Sequence, residues 1–236
     1  INLYHQDCAL RACDQGSMLK RAIRSVALQH DKVASFMAKP FAEQVGNGMH
    51  IHFSLLDEKG NNVFDNGTPE GSKLLNYAVA GCLETMADSM AVFAPNINSF
   101  RRMVPGCYAP LSSDWGYENR TTALRIPGGD NRAMRIEHRV AGADANPYLT
   151  VAAILAGALY GIEKKLKAPP AVVGDAGDVE PTLPHFWNDA ILAFERSKFI
   201  EEYLGSELKT NYARCKRQEK QEFDSRVTLL EYDAYL

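Results

Sequence analysis

Residues Asn98 to Arg139 read NSFRRMVPGCYAPLSSDWGYENRTTALRIPGGDNRAMRIEHR. Seven of the chain's fourteen arginines fall here (Arg101, Arg102, Arg120, Arg125, Arg132, Arg135, Arg139), and none of its twelve lysines. Arginine presents a rigid fork of five donors that matches phosphate and carboxylate oxygens bidentately, which lysine cannot do. A solvated basic face is the plain reading of a charge run. Here, however, apolar and turn residues are threaded between the arginines: Met103-Val104-Pro105-Gly106, Ala123-Leu124 and Ile126-Pro127-Gly128-Gly129. That is the composition of a structured site. From Met134 to Arg139 the alternation is strict. Arg135, Glu137 and Arg139 share one face of a strand, and Met134, Ile136 and His138 share the other. A carboxylate between two arginines on one strand face is a salt-bridge cluster or a metal-and-anion site.

A second strand has the same design. Met49 to Leu55 puts His50, His52 and Ser54 on one face and Met49, Ile51, Phe53 and Leu55 on the other. It follows a flexible loop, Gly46-Asn47-Gly48. Two histidines on a strand are, taken alone, more often structural than ligands. If the polar faces of the two strands meet, His50 and Glu137 could hold a divalent metal while arginines hold anions.

At 236 residues the chain can bury a sizeable core. Its 46% hydrophobic and 23% charged residues place it among ordinary globular proteins. A net charge of −3 carries no nucleic-acid signal, and no apolar run is long enough for a membrane span. The five scattered cysteines form no Cys-x-x-Cys pair, which predicts reduced thiols and a cytoplasmic protein. The opening Ile1-Asn2-Leu3-Tyr4-His5 reads as the tail of a strand. Helical spacing then predicts a helix over 9–30, with Leu10, Met18, Leu19, Ile23 and Val26 as its apolar stripe. A short strand is expected at 33–37, stopped by Pro40, and a hairpin return near Val63-Phe64. One long helix is expected over 72–93, ended by Pro95. Asn146 and Pro147 supply the N-cap and first turn of a buried helix. Residues 168–184 read as a loop, and 186–197, 199–204, 206–224 and 227–236 as helices. The whole is an α+β layout, an antiparallel curved sheet with flanking helices.

The ordered stretches GNGMHIHFS, NSFRRMVPG, NRTTALRIP, RIEHR and ADANPYL, spread over essentially the whole chain, resemble the catalytic domain of the glutamine synthetase superfamily. The resemblance is closest to its γ-glutamylpolyamine synthetase-like branch. It implies a fold of the type that family shares with guanidino kinases. It also implies a ligation in which ATP phosphorylates the γ-carboxylate of glutamate and an amine then displaces phosphate. Mg²⁺ (or Mn²⁺) would be the metal. The assembly implied is a homo-oligomer, a dodecamer of two stacked hexameric rings. A smaller N-terminal domain with further metal-binding glutamates would precede residue 1, so that residues 1–236 alone are expected to be inactive.

By the same resemblance, His50 and Glu137 are metal ligands and His52 and Ser54 contact nucleotide. Gly46 holds glutamate through its backbone, and Arg102 and Arg139 grip substrate carboxylates. Arg120 and Arg125 contact the transferred phosphate and the nucleotide, and Arg132 and Arg135 contact ATP. Arg120 and Arg125 differ by an odd number, so one regular strand face cannot carry both; a preceding loop or a bulge would resolve this. Three positions depart from the family pattern. Tyr108 stands where ammonium-using members carry Glu, Val45 stands where many carry Asn, and the segment 128–131 is about one residue short. Tyr108 points to an organic amine or polyamine as acceptor, and a role in catalysis is expected of it. The alternatives are an ammonia-using glutamine synthetase and a non-catalytic relative. In the first, Tyr108 would merely pack its loop, and Glu118 or Asp114 could serve ammonium.

Overall fold

The computed structural model describes residues 1–129 and 133–236, and the expected ATP contact Arg132 lies outside them. At the centre is a sheet of four three-residue strands: β1 (Ile51–Phe53), β2 (Trp115–Tyr117), β3 (Leu124–Ile126) and β4 (Ile136–His138). Their spatial order is β1-β4-β3-β2. β4 pairs antiparallel with β1 and with β3, whereas β2 and β3 run parallel. Side-chain alternation then sorts the faces. Met134, Ile136 and His138 are buried with Leu124, Ile126 and Trp115 in the core. Ile51 and Phe53 pack against the same core, while His52 between them is exposed.

Among the described residues the helices are α1 (Ala9–Gln29), α2 (Lys73–Glu84), α3 (Met90–Phe93), α4 (Ile97–Arg102), α5 (Pro147–Lys164), α6 (Trp187–Arg196), α7 (Lys198–Leu204), α8 (Ser206–Asp224) and α9 (Leu229–Tyr235), and the core draws on α2 to α8, while α9 buries no residue. α5 starts as its sequence predicts. The Asn146 side chain accepts from the Tyr148 and Leu149 amides, and Pro147 fills the first helical position. α2 lies directly on α5 through facing glycines. A Cβ on Gly81 would collide with the Gly157 and Gly161 backbone, and one on Gly161 with the Tyr77 carbonyl and Gly81. The ring of Phe93 in α3 meets that of His138 at 4.7 Å between centroids, joining the helical layer to the sheet.

Several expectations are corrected. The single helix over 72–93 is broken into α2 and α3. The Thr85 hydroxyl turns back to the Gly81 carbonyl at 2.9 Å, and residues 85–89 form a turn. Residues 33–37 form no strand; Val33 is 88% exposed, and no strand lies beside it among the described residues. The hairpin return is reduced to one bridge, Leu56 with Asn62, because Phe64 is drawn into the core instead. Residues 1–5 are not a strand. α1 forms as expected, but its stripe is not buried: Leu10, Met18 and Val26 are exposed, and only Cys13 is covered.

Candidate active site

The site grows from the register of three strands. His52 of β1 and Arg125 of β3 both stand opposite Glu137 of β4. The alternation that sends Ile136 and His138 into the core turns Glu137 to the other face, between them. There Glu137 is only 3% exposed, because cations surround it. Arg125 Nη1 donates to Oε2 at 2.8 Å and Arg139 Nη1 donates to Oε1 at 2.6 Å. His50 Nδ1 lies 3.1 Å from Oε1 and His52 Nε2 3.8 Å from it. Burial by itself would raise the Glu137 pKa. The hydrogen bonds from His50 and Arg125 and the charges of Arg139 and His52 overcome this, and they hold the carboxyl far below the usual carboxylate range.

The cations are themselves held. Arg125 Nη2 reaches both oxygens of Glu118, at 3.1 and 3.0 Å. Glu118 has a left-handed backbone (φ 51°) and also accepts from the Gly128 amide. Arg139 Nη2 donates to the Arg120 carbonyl at 2.7 Å. Arg135 Nε donates to His52 Nδ1 at 3.2 Å, and its Nη1 donates to the Ala133 carbonyl. Desolvation is the main influence on His52 and lowers its pKa, with Glu137 opposing. Two buried atoms of this cluster, Arg125 Nε and Arg139 Nε, have no hydrogen-bond partner among the described residues. Each is a buried donor left without a partner beside the Glu137 carboxylate.

Arg102 is buried beneath the glycine loop. Its Nη1 donates to the Val140 carbonyl at 2.7 Å. A Cβ on Gly46 would lie 2.7 Å from the Ala38 carbonyl oxygen and 2.9 Å from Arg102 Cγ. The loop therefore rests on this arginine, and glycine is what allows it. Arg120 sits in the turn before β3, which settles the parity problem: its side chain is exposed, and its carbonyl receives Arg139. Ser54 lies one residue past β1 and makes no hydrogen bond with the cluster among the described residues. Tyr108 is 84% exposed on a left-handed backbone (φ 55°), so it does not pack its loop. Asp114 is buried, accepting from Ser112 Oγ at 2.5 Å and the Ala123 amide at 2.7 Å, so it braces the strand entry.

Sequence reasoning missed the clamp that Glu118 places on Arg125. The pair is seven residues apart, and a left-handed residue is needed to turn the carboxylate back. It also missed Asp144, which accepts from Ser99 Oγ (2.6 Å) and Asn96 Nδ2 (2.9 Å) and so fixes the start of α4. A polar cap pattern at Asn96-x-x-Ser99 was the available signal. Beside the cluster lies a cavity of about 450 Å³, lined by Tyr117, Glu118, Asn119, Arg120 and residues 171–174. Its volume is in the range of small-molecule sites, and it is open to solvent.

A metal fits this donor set only in part. His50 and Glu137 meet, but the carboxylate is already paired with two guanidiniums. Among the described residues, no three His, Cys, Asp or Glu side chains converge to hold an ion. A hard divalent cation takes six or so mainly oxygen ligands. These residues are therefore at most two members of a ligand shell.

A family model described as glutamine synthetase, catalytic domain, matches residues 1–235. The gamma-glutamylputrescine synthetase PuuA of Escherichia coli (strain K12) is 44% identical over 234 residues, 99% of this chain and 50% of that protein. A glutamate–isopropylamine ligase of Pseudomonas sp is 36% identical over 244 residues, covering 100% of this chain and 52% of that one. Among solved structures, a GmaS/ADP complex superposes with a TM-score of 0.89 at 32% identity, covering 98% of this chain and 56% of that one. Apo GmaS gives 0.87 at 32% identity, covering 96% and 53%. The chain spans about half the length of the curated relatives it matches.

Proposed function

The chain belongs to the glutamine synthetase family, of which it carries the catalytic domain, and from that premise we propose that the whole protein is an ATP-dependent ligase. It joins the γ-carboxylate of glutamate to an amine by way of a γ-glutamyl phosphate. The observation that carries this reading is the pair Arg125 and Arg139 closed on Glu137 beside His50. Phosphoryl transfer is mainly a matter of positioning and of neutralising spread negative charge. Arg125 contacts the transferred phosphate, and Arg120, which lines the adjoining cavity, contacts the nucleotide. Arg139 and Arg102 bind substrate carboxylates, the latter from beneath the Gly46 loop. Arg135 orients His52 toward the nucleotide side.

Mg²⁺ or Mn²⁺ would neutralise phosphate charge when bound. It would draw on His50 and Glu137 and on further oxygen ligands that the described residues do not supply. The acceptor is an organic amine or polyamine: Tyr108 is exposed and available as a ring against an alkylammonium, and a relative in which this chain has 44% identity is named for putrescine. The protein works as a homo-oligomer of stacked hexameric rings, which light scattering of the full-length protein checks. The scattered cysteine spacing, which suits reduced thiols, supports a cytoplasmic site of action.

The decisive test is phosphate release by the full-length protein with ATP, Mg²⁺, glutamate and a panel of amines that includes ammonium. Release that depends on both glutamate and a diamine is expected. Equal use of ammonium and diamines would return the assignment to an ammonia-using glutamine synthetase. No release with any amine would point to a non-catalytic relative.

A further inference from the structure

Outside the arginine cluster, two nucleophiles meet. Lys39 Nζ lies 3.1 Å from Cys107 Sγ and also donates to the Gln44 carbonyl. Lys39 is 7% exposed, and no carboxylate lies within ion-pair distance of it among the described residues. A buried ammonium with no counter-charge is costly, and among the described residues the Cys107 thiol is the group in contact with it that can become an anion. The contact is held from both sides. The Lys39 amide donates to Asn98 Oδ1 at 2.9 Å, and Asn98 Nδ2 donates to the Lys39 carbonyl at 2.8 Å. Cys107 sits between two left-handed residues, Gly106 (φ 79°) and Tyr108 (φ 55°). The turn directs the thiol at Lys39 while Tyr108 faces solvent. Cys107 is half-buried, so a small oxidant can reach it.

We propose that Lys39 and Cys107 form a peroxide-driven, thiol-reversible crosslink between the segment before the Gly46 loop and the loop that carries Tyr108. In the first step the Cys107 thiolate attacks a hydroperoxide. The O–O bond breaks, sulfur is oxidised to the sulfenic acid, and the leaving oxygen takes a proton from the Lys39 ammonium and departs as an alcohol or water, which leaves Lys39 as the free amine. In the second, the lone pair of the Lys39 amine attacks Sγ and the S–O bond breaks. The hydroxyl leaves as water with one amine proton, giving a sulfenamide S–N bond. A thiol reductant reverses the link by attacking Sγ and releasing the amine. The other cysteines lack this arrangement. Cys82 is buried and its thiol is pushed up to about 12, away from reactivity. Cys8 and Cys215 are exposed and no lysine amine contacts them in the described structure. The chemistry is independent of the proposed ligase function; only its effect, fixing the Tyr108 loop, rests on that reading.

The test treats the full-length protein with hydrogen peroxide, digests it without reductant and maps the peptides by mass spectrometry. The expected product joins the Lys39 and Cys107 peptides, is lighter than their sum by two hydrogen atoms, and separates on adding dithiothreitol. In Lys39→Arg, which keeps the charge but cannot condense, the linked peptide is lost and Cys107 runs on to sulfinic acid. Cys107 ending as sulfinic acid in the wild type, with the Lys39 peptide free, overturns the proposal. So does a link that persists in Lys39→Arg. Mapping of the wild type needs no variant to fold. Because it reads a bond and not turnover, a link without amine ligation would sink only the ligase reading.

Discussion

Arg139 and Arg101 carry the same charge and belong to the same arginine-rich stretch, but their surroundings separate them. Arg139 is buried against Glu137, the Arg120 carbonyl and His50, whereas Arg101 is exposed at the end of α4. Removing Arg139 leaves a buried carboxylate short of a partner, which costs about 3–5 kcal/mol. Arg139→Ala should therefore lower both the melting temperature and kcat by far more than Arg101→Ala, which should stay within about 0.5 kcal/mol of wild type. Equal losses in melts and turnover would refute the assignment. Tyr108 gives a second contrast. A ring against an alkylammonium is worth roughly 0.5–2 kcal/mol. Tyr108→Glu should thus cut kcat/KM for diamines by about tenfold relative to ammonium. The preference of the two proteins for putrescine over ammonium is the measurement, and an unchanged ratio excludes Tyr108 from amine choice.

The strands at the site were legible because alternation is a local property. Arg135, Glu137 and Arg139 against Met134, Ile136 and His138 decides two faces with six residues, and the structure keeps both. Helix starts were legible where a cap residue stands, as at Asn146. Residues 33–37 failed because a strand needs a partner, and periodicity does not supply one. The break between α2 and α3 failed because the Thr85 hydroxyl bonds back to the Gly81 carbonyl, a local interaction that an apolar stripe does not reveal. Least legible was the α2–α5 seam, where glycines look like weak helix residues. They are there because the backbones touch. Gly161→Ala should force the helices apart and cost about 3 kcal/mol or more. Gly16→Ala in α1, with nothing within 4 Å of the new methyl, should stabilise by about 0.5–1 kcal/mol. Urea midpoints of the two variants moving in the same direction would contradict this packing.

Taken whole, the molecule should be acid-labile, and one histidine sets the window. His138 is 1% exposed, and burial, helped by the His50 charge, lowers its pKa to about 3. In the unfolded chain it titrates near 6.5. Between those values the unfolded chain binds a proton that the folded one refuses, so stability is full above about pH 6.5 and falls as the pH drops toward 3. Each pH unit in that window costs about 1.4 kcal/mol at most. Glu137 acts in the same direction below the ordinary carboxylate range, because its folded pKa is also depressed. Urea midpoints should be level from about pH 8 to 7 and decline from about 6 to 4, and His138→Leu should flatten the upper part of that decline. A level profile in the wild type would remove His138 from this role. The strand register has a further consequence, in time. Ile51 pairs with His138, and 138 − 51 = 87 residues separate them. At about 5–20 residues per second, β4 is synthesised roughly 4–17 seconds after β1. During that interval His50 and His52 ride on a segment whose backbone has no strand to pair with, while β2 and β3 can already meet. On the ribosome, the candidate site is the last part of the sheet to come into being.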